Sequence, residues 1–132
     1  MRKMMFVLVL LALAACTGTK NDINNDKVFF AFDSAVIDSN AKKNLEAQSL
    51  YMKKNEDVNV VLEGHCDERG STEYNLALGA LRAGNAAHTL VKNGIEPARI
   101  KTISYGKENP QYKGTGEEVW AKNRNVTTKT KK

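Results

Sequence analysis

The chain has 132 residues, 42% of them apolar and 27% charged, with a formal net charge of +5 at pH 7. That length accommodates one domain. Two cysteines are too few for a disulfide scaffold, and a charge of this size does not argue for nucleic acid.

The chain opens with Arg2 and Lys3, followed by an uncharged apolar stretch from Met4 to Leu13 and then small residues. The run is too short for a membrane span and reads as a signal peptide over residues 1–15. Its ending, Leu13-Ala14-Ala15-Cys16, resembles the bacterial lipobox, in which the cysteine becomes the lipidated first residue of the mature protein. Acyl chains at Cys16 would anchor the chain to a membrane without spanning it. Loss of Arg2 and Lys3 lowers the charge from +5 to +3. Export also removes nucleic acid as a partner. With Cys16 lipidated, Cys66 has no partner within the chain. Thr17 to Lys27 is polar and reads as a tether, at most about 36–40 Å long when fully extended.

The folded part is expected over residues 28–128. Val28 to Phe32 (VFFAF) is β-prone and ends at Asp33-Ser34. Asp38 or Ser39 can cap a helix running to about Lys54, with Ala41, Leu45, Gln48 and Met52 on one face. Asp57 to Glu63 alternates at Val58, Val60 and Leu62 and reads as a second strand. Thr72 to Asn93 reads as a helix closed by Gly94. Its expected buried stripe is Leu76, Ala80, Ala83, Ala87 and Leu90, with Asn75, Leu78 and Arg82 on another face. Gly79 and Gly84 each weaken that helix by roughly 1 kcal/mol relative to alanine, which close packing can offset. Arg99 to Tyr105 reads as a third strand and Glu117 to Lys122 as a short helix. Val126 to Thr128 forms a last β-prone run before a basic tail at 129–132. The alternation predicts an α/β sandwich, a mixed sheet of about four strands with about three helices.

The second strand runs into Gly64, then His65, Cys66, Asp67, Glu68 and Arg69. Ligands in alternating α/β chains favour the carboxyl ends of strands. Asp33 and Ser34, the 64–70 loop, and Asn75, Leu78 and Arg82 could converge there. An acid and a base held apart suit a zwitterion, with Asp67 taking an ammonium and Arg82 forking onto a carboxylate. Asp67 and Arg82 could equally pair with each other, or Asp67 could cap the turn. The residues alone leave these readings level. Cys66 and His65, as strand neighbours, point to opposite faces and make a poor dyad. No phosphate loop, nucleophile elbow or His-x-x-x-His pair is present. Catalytic, metal and cofactor sites are therefore not expected. His65 reads as a hydrogen-bonding or site-wall residue, and His88 as a position on the helix.

The segments "FAFDSAVI", "VVLEGHCDERGSTEYNLALGALRA", "GI…RI…ISYGKENP" and "AKNRNV" resemble the OmpA-like peptidoglycan-binding domain family, from about Val28 to Val126. The resemblance implies non-covalent binding of the peptidoglycan stem peptide, without catalysis. In such domains the loop aspartate and the helix arginine hold the diamino acid of the peptide, and here these are Asp67 and Arg82. That favours the ligand reading over mutual pairing. Asp33 and Ser34 then line the groove, Asn75 and Leu78 shape its wall, and Arg124 occupies the first arginine of the family's Asn-Arg-Arg. The resemblance also implies a lipid anchor in the outer membrane and a periplasmic protein of the Tol system as a partner. The chain departs from the family at Cys66, where a small residue or threonine is usual. It departs again at Leu81 and Asn125, each in place of an arginine.

Overall fold

The computed structural model describes residues 23–131. The expected signal peptide, Cys16, the first part of the tether and Lys132 lie outside the described residues. In chain order the elements are β1 (Lys27–Phe29), α1 (Ser39–Lys54), β2 (Asn59–His65), α2 (Thr72–Lys92), a 3-10 turn (Pro97–Arg99), β3 (Ile100–Gly106), α3 (Glu117–Asn123) and β4 (Asn125–Lys131). The expected mixed sheet of four strands with three helices is present. Its order is β1-β4-β2-β3. β4 runs antiparallel to both β1 and β2, and β2 runs parallel to β3. β1, β2 and β3 therefore point the same way and end on a common edge of the sheet.

Period-two alternation sorts the strands. Val28, Val60, Leu62 and Val126 turn inward onto α1 and α2 and form the core with Ala41, Leu45, Met52, Ala83, Ala86 and Leu90. α1 begins where Asp38 accepts a hydrogen bond from the Ala41 N–H at 2.8 Å, and it buries the expected stripe. Gln48 in that stripe is fully buried but satisfied. Its Nε2 donates to the Asn25 carbonyl at 2.9 Å, and its Oε1 accepts from the Thr128 hydroxyl at 2.6 Å.

α2 departs from expectation. It buries Asn75, Gly79, Arg82, Ala83, Ala86 and Leu90, leaving Leu76 and Ala80 exposed. Two glycines account for the rotation. A Cβ on Gly64 would lie 1.9 Å from the Gly79 carbonyl oxygen, and one on Gly79 would lie 2.3 Å from Ser104 Oγ. Backbone therefore meets backbone between β2 and α2, and the Asn75–Arg82 face turns toward the sheet edge instead of solvent.

Three boundaries also move. β1 stops at Phe29 and not at Phe32, because the Ala31 and Ser34 carbonyls are taken by Arg82 and that of Phe30 by Arg124. The expected basic tail joins β4, with Lys129 opposite Val61 and Lys131 opposite Asn59, since Lys129 and Lys131 continue the outward positions of the alternation. The end of the expected tether is docked. Ile23 is buried in the core, the Asn25 carbonyl takes Gln48, and the Asp26 carbonyl accepts the Thr128 N–H at 2.7 Å. An isolated isoleucine within a polar run gave no periodicity to read.

Candidate functional site

At the carboxyl edge of β1 and β2, the β1–α1 loop, the β2–α2 loop and the first turns of α2 enclose a cavity of about 250 Å³. It is lined by Phe32, Asp33, Cys66, Asp67, Arg69, Gly70, Tyr74, Asn75, Leu78 and Arg82. Sequence reasoning placed Asp33, Asp67, Asn75, Leu78 and Arg82 here, and these five meet.

Arg82 forms one pole. The rotation of α2 buries it to 1% exposure. Its Nε donates to the Ser34 carbonyl at 2.8 Å, Nη1 to that of His65 at 3.0 Å, and Nη2 to that of Ala31 at 3.1 Å. Its guanidinium thus ties the end of β2 to the loop after β1. A guanidinium has five N–H groups, so one on each of the two terminal nitrogens is not given to a carbonyl, and the Cys66 sulfur lies within reach of the guanidinium. Burial lowers the Arg82 pKa, with Cys66 opposing and Arg124 assisting.

Asp67 forms the other pole, 4% exposed. Both of its oxygens go to arginines other than Arg82. Oδ1 accepts the Arg69 backbone N–H at 3.0 Å and Nε at 3.1 Å, while Oδ2 accepts Arg69 Nη2 at 2.9 Å and Arg124 Nη1 at 3.5 Å. Burial penalises the Asp67 carboxylate, but the hydrogen bonds and charge of Arg69, joined by Arg124, outweigh it and hold its pKa below the usual value. Four donors on a carboxylate occupy roughly all of its lone-pair directions.

Arg69 is the largest omission from the expected site. Its guanidinium lies 3.9 Å from the Phe32 ring centroid and 4.1 Å from that of Trp120, between two aromatic faces. Glu68, beside it, accepts from the Thr115 hydroxyl at 2.7 Å and from Trp120 Nε1 at 3.2 Å, which pulls its pKa down. Tyr74 was also missed, and its hydroxyl donates to Asp33, whose backbone sits at φ 53°. Tyr74 stands one helical turn before Leu78, so its position was readable. Trp120 lies about fifty residues from the loop it covers, and no local pattern announces such a contact.

Two expected residues contribute differently. Ser34 offers its carbonyl to Arg82 while its hydroxyl accepts the Val36 N–H at 3.1 Å. Arg124 stands behind the cavity. It donates to the Phe30 carbonyl at 2.9 Å and to Glu117 at 2.8 Å, and reaches Asp67 only at 3.5 Å. Asn75 pins the loop by donating to the Arg69 and Ser71 carbonyls at 2.8 and 2.9 Å. Cys66 is buried and donates its thiol to the Asn75 carbonyl at 3.3 Å. Burial raises its pKa despite Arg82. The His65 ring turns to the opposite face of the sheet, stacking on Tyr105 at 5.3 Å between centroids. Burial lowers its pKa against the pull of Glu63.

The cavity thus sets the Asp67 carboxylate, paired with Arg69 and Arg124, opposite the Arg82 guanidinium, with an apolar wall from Phe32, Tyr74 and Leu78. That arrangement suits recognition of a small zwitterionic group. Among the described residues no group of three His, Cys, Asp or Glu side chains could hold a metal ion.

A model of the OmpA family matches residues 29–124. The peptidoglycan-associated lipoprotein of Mesorhizobium japonicum is 42% identical over 118 residues, covering 87% of this chain and 70% of that one. Its namesake in Rhizobium meliloti is 40% identical over 118 residues, covering 87% and 67%. Among solved structures, the peptidoglycan-associated lipoprotein of Burkholderia pseudomallei superposes with a TM-score of 0.78 at 34% identity, over 80% of this chain and 90% of that one. The C-terminal domain of Helicobacter pylori MotB shares the fold, with a TM-score of 0.75 at 23% identity over 81% of this chain and 84% of that one.

Proposed function

The chain belongs to the OmpA family, and on that premise we propose that it is a lipid-anchored outer-membrane protein that binds peptidoglycan stem peptides non-covalently and so ties the membrane to the cell wall. The observation that carries this reading is the cavity with Asp67 at one pole and Arg82 at the other. The diamino acid of a stem peptide brings an ammonium, which would take the place of the Arg69 guanidinium on Asp67. It also brings a carboxylate, which suits the N–H groups that Arg82 does not give to carbonyls, one of them displacing the Cys66 sulfur. The close relatives named for association with peptidoglycan support the same ligand class.

Chain direction supports the reading too. The cavity lies at the carboxyl end of β1, and the chain enters at the amino end. An anchor at Cys16 would leave from the end away from the cavity, freeing the cavity to face the wall. With Ile23 docked, the segment from Cys16 to Ile23 spans at most roughly 25 Å. The role assigned to the cavity is recognition, with no bond broken, and a Tol-system protein is the proposed periplasmic partner.

Retention on purified sacculi tests the reading with the wild-type protein, Asp67→Ala and Arg82→Lys. Wild-type retention with loss in both variants is expected, and equal retention of all three would sink the site assignment. Release of muropeptides from the sacculi would reopen catalysis. One observation favours a second reading, an envelope-complex adaptor with weak wall binding: Asp67 is already saturated by arginines. Co-purification with Tol components but no retention on sacculi would select it.

A further inference from the structure

The sheet is charged unequally at its two ends. At the cavity end, the exposed carboxylates of Asp33, Glu68, Glu73, Glu108, Glu117 and Glu118 are interspersed with Lys107, Lys113 and Lys122. The opposite end collects the amino ends of β2 and β3, the carboxyl end of β4, and the last turns of α1 and α2, while β1 begins farther along the sheet, where Lys27 is level with Thr127 and Glu63. Its exposed lysines are Lys53 and Lys54 on α1, Lys92 on α2, Lys101 on β3, and Lys129 and Lys131 on β4. Among the described residues its exposed carboxylates are Glu56, Asp57 and Glu96. Arg99 adds a further positive charge there, though its guanidinium is held by the Met52, Asn55 and Val58 carbonyls.

These lysines share a surface. Lys129 and Lys101 flank Val61 in a row across three strands on the outer face of the sheet, and Lys131 follows beside Asn59. Gln111 covers the other half of that face by donating to the Thr127 hydroxyl at 3.0 Å and meeting His65 at 3.4 Å. The lysine half is left exposed.

We propose that this lysine-bearing end docks onto the anionic headgroup surface of the membrane that carries the anchor. The inference rests on the lipid-anchor reading of Cys16. Two observations favour a membrane over any other anionic partner. The 22 residues preceding the described fold join it at Ile23, and from Lys27 back to Asn25 the chain steps along α1 from Asn44 to Gln48, toward this end. The short reach from Cys16 keeps this end within roughly 25 Å of the bilayer. Cationic side chains close to an anionic surface each strengthen binding by about fivefold, equivalent to about 1 kcal/mol. The cavity end, where acidic and basic side chains are mixed, has no such excess of positive charge. The domain would thus be oriented, with its cavity outward.

The core lies between Ile23 and Val126, so the chain from Thr17 onward keeps all of it and serves as a lipid-free probe. Co-sedimentation is measured with sucrose-loaded vesicles of phosphatidylcholine, alone or with phosphatidylglycerol. Binding is expected only with phosphatidylglycerol, falling as salt rises. K129E/K131E should weaken it at least tenfold, as should K53E/K54E on a different element. K113E/K122E at the cavity end should not weaken it. Equal binding to both vesicle types, or charge reversals without effect in variants that keep the wild-type circular dichroism, would overturn the proposal. Palmitate labelling of the full chain and retention on sacculi read the anchor and the wall site separately, so either can fail without the other.

Discussion

Arg82 and Asp67 face the same cavity, yet the first is fastened to three main-chain carbonyls and the second to the side chains of Arg69 and Arg124. The difference separates roles that share a site. Arg82 stitches β2 to the loop after β1, so the fold depends on the residue that would recognise a carboxylate. Asp67 belongs to a loop whose partners have other attachments. Arg124 also holds Phe30 and Glu117, and Arg69 also lies between Phe32 and Trp120. The cationic pole should therefore be rigid and costly to change, and the anionic pole adjustable.

The sharpest way to break this comparison is to truncate each pole. Arg82→Ala leaves the Ala31, Ser34 and His65 carbonyls without their donor inside the protein. A loss of about 3–5 kcal/mol is expected in urea denaturation. Asp67→Asn keeps the shape and leaves Arg124 on Glu117, so about 1–2 kcal/mol is expected. Equal losses would erase the distinction. Binding should rank differently: Asp67→Asn is expected to weaken retention on sacculi at least tenfold while the domain stays folded.

Acid titration sharpens the comparison next. The folded-state pKa of Asp67 lies below its usual value. The unfolded chain binds that proton first as pH falls, from about pH 4 downward. The stability contributed by ionised Asp67 is therefore complete above about pH 4 and is lost as pH drops through the folded value. The slope of stability against pH below 4 should be shallower in Asp67→Asn than in the wild type. His65 adds a separate limb. Its pKa is lowered by burial, so acidification below about pH 6.5 protonates the unfolded state first and lowers stability. Asp67→Asn should leave that limb in place.

Arg69→Ala tests the adjustable pole directly. Asp67 would keep its bond to the backbone N–H of residue 69 and the longer contact with Arg124. Its pKa should then rise toward the ordinary carboxylate range, read from the carboxyl carbon shift in an NMR titration. An unchanged value would mean that Arg124 alone sets the charge of the pole.

Which parts of this were legible follows from the range of the interactions involved. The α1 stripe and its Asp38 cap were readable because both are set within a few residues. The inner faces of β2 and β4 were readable from Val60, Leu62 and Val126. The α2 stripe was misread because the Gly64–Gly79 contact joins two elements and decides which face turns inward. The short β1 has the same cause, since its missing ladder carbonyls are claimed by an arginine about fifty residues away. At the site, Asp67 and Arg82 were readable from a strand end and a helix face. Their actual partners were not. Arg69 was visible only as one more charge in a crowded loop, and its aromatic brackets arrive from two distant segments.

Cys66 lies between the poles and gives the smallest expected effect. It lines the cavity and bonds to the Asn75 carbonyl, and burial raises its pKa although Arg82 favours the thiolate. Thiolate is the reactive form, so Cys66 should alkylate slowly in the folded protein at pH 8 and rapidly in urea. The two poles predict how that slow rate responds to mutation. Asp67→Asn removes a negative charge that disfavours the thiolate, and should raise the rate modestly with Arg82 still in place. Arg82→Lys keeps a positive charge but gives up the fork that closes the loop after β1. It should raise the rate much more by admitting reagent, so a smaller increase than with Asp67→Asn would mean that Arg82 is not the residue closing the cavity.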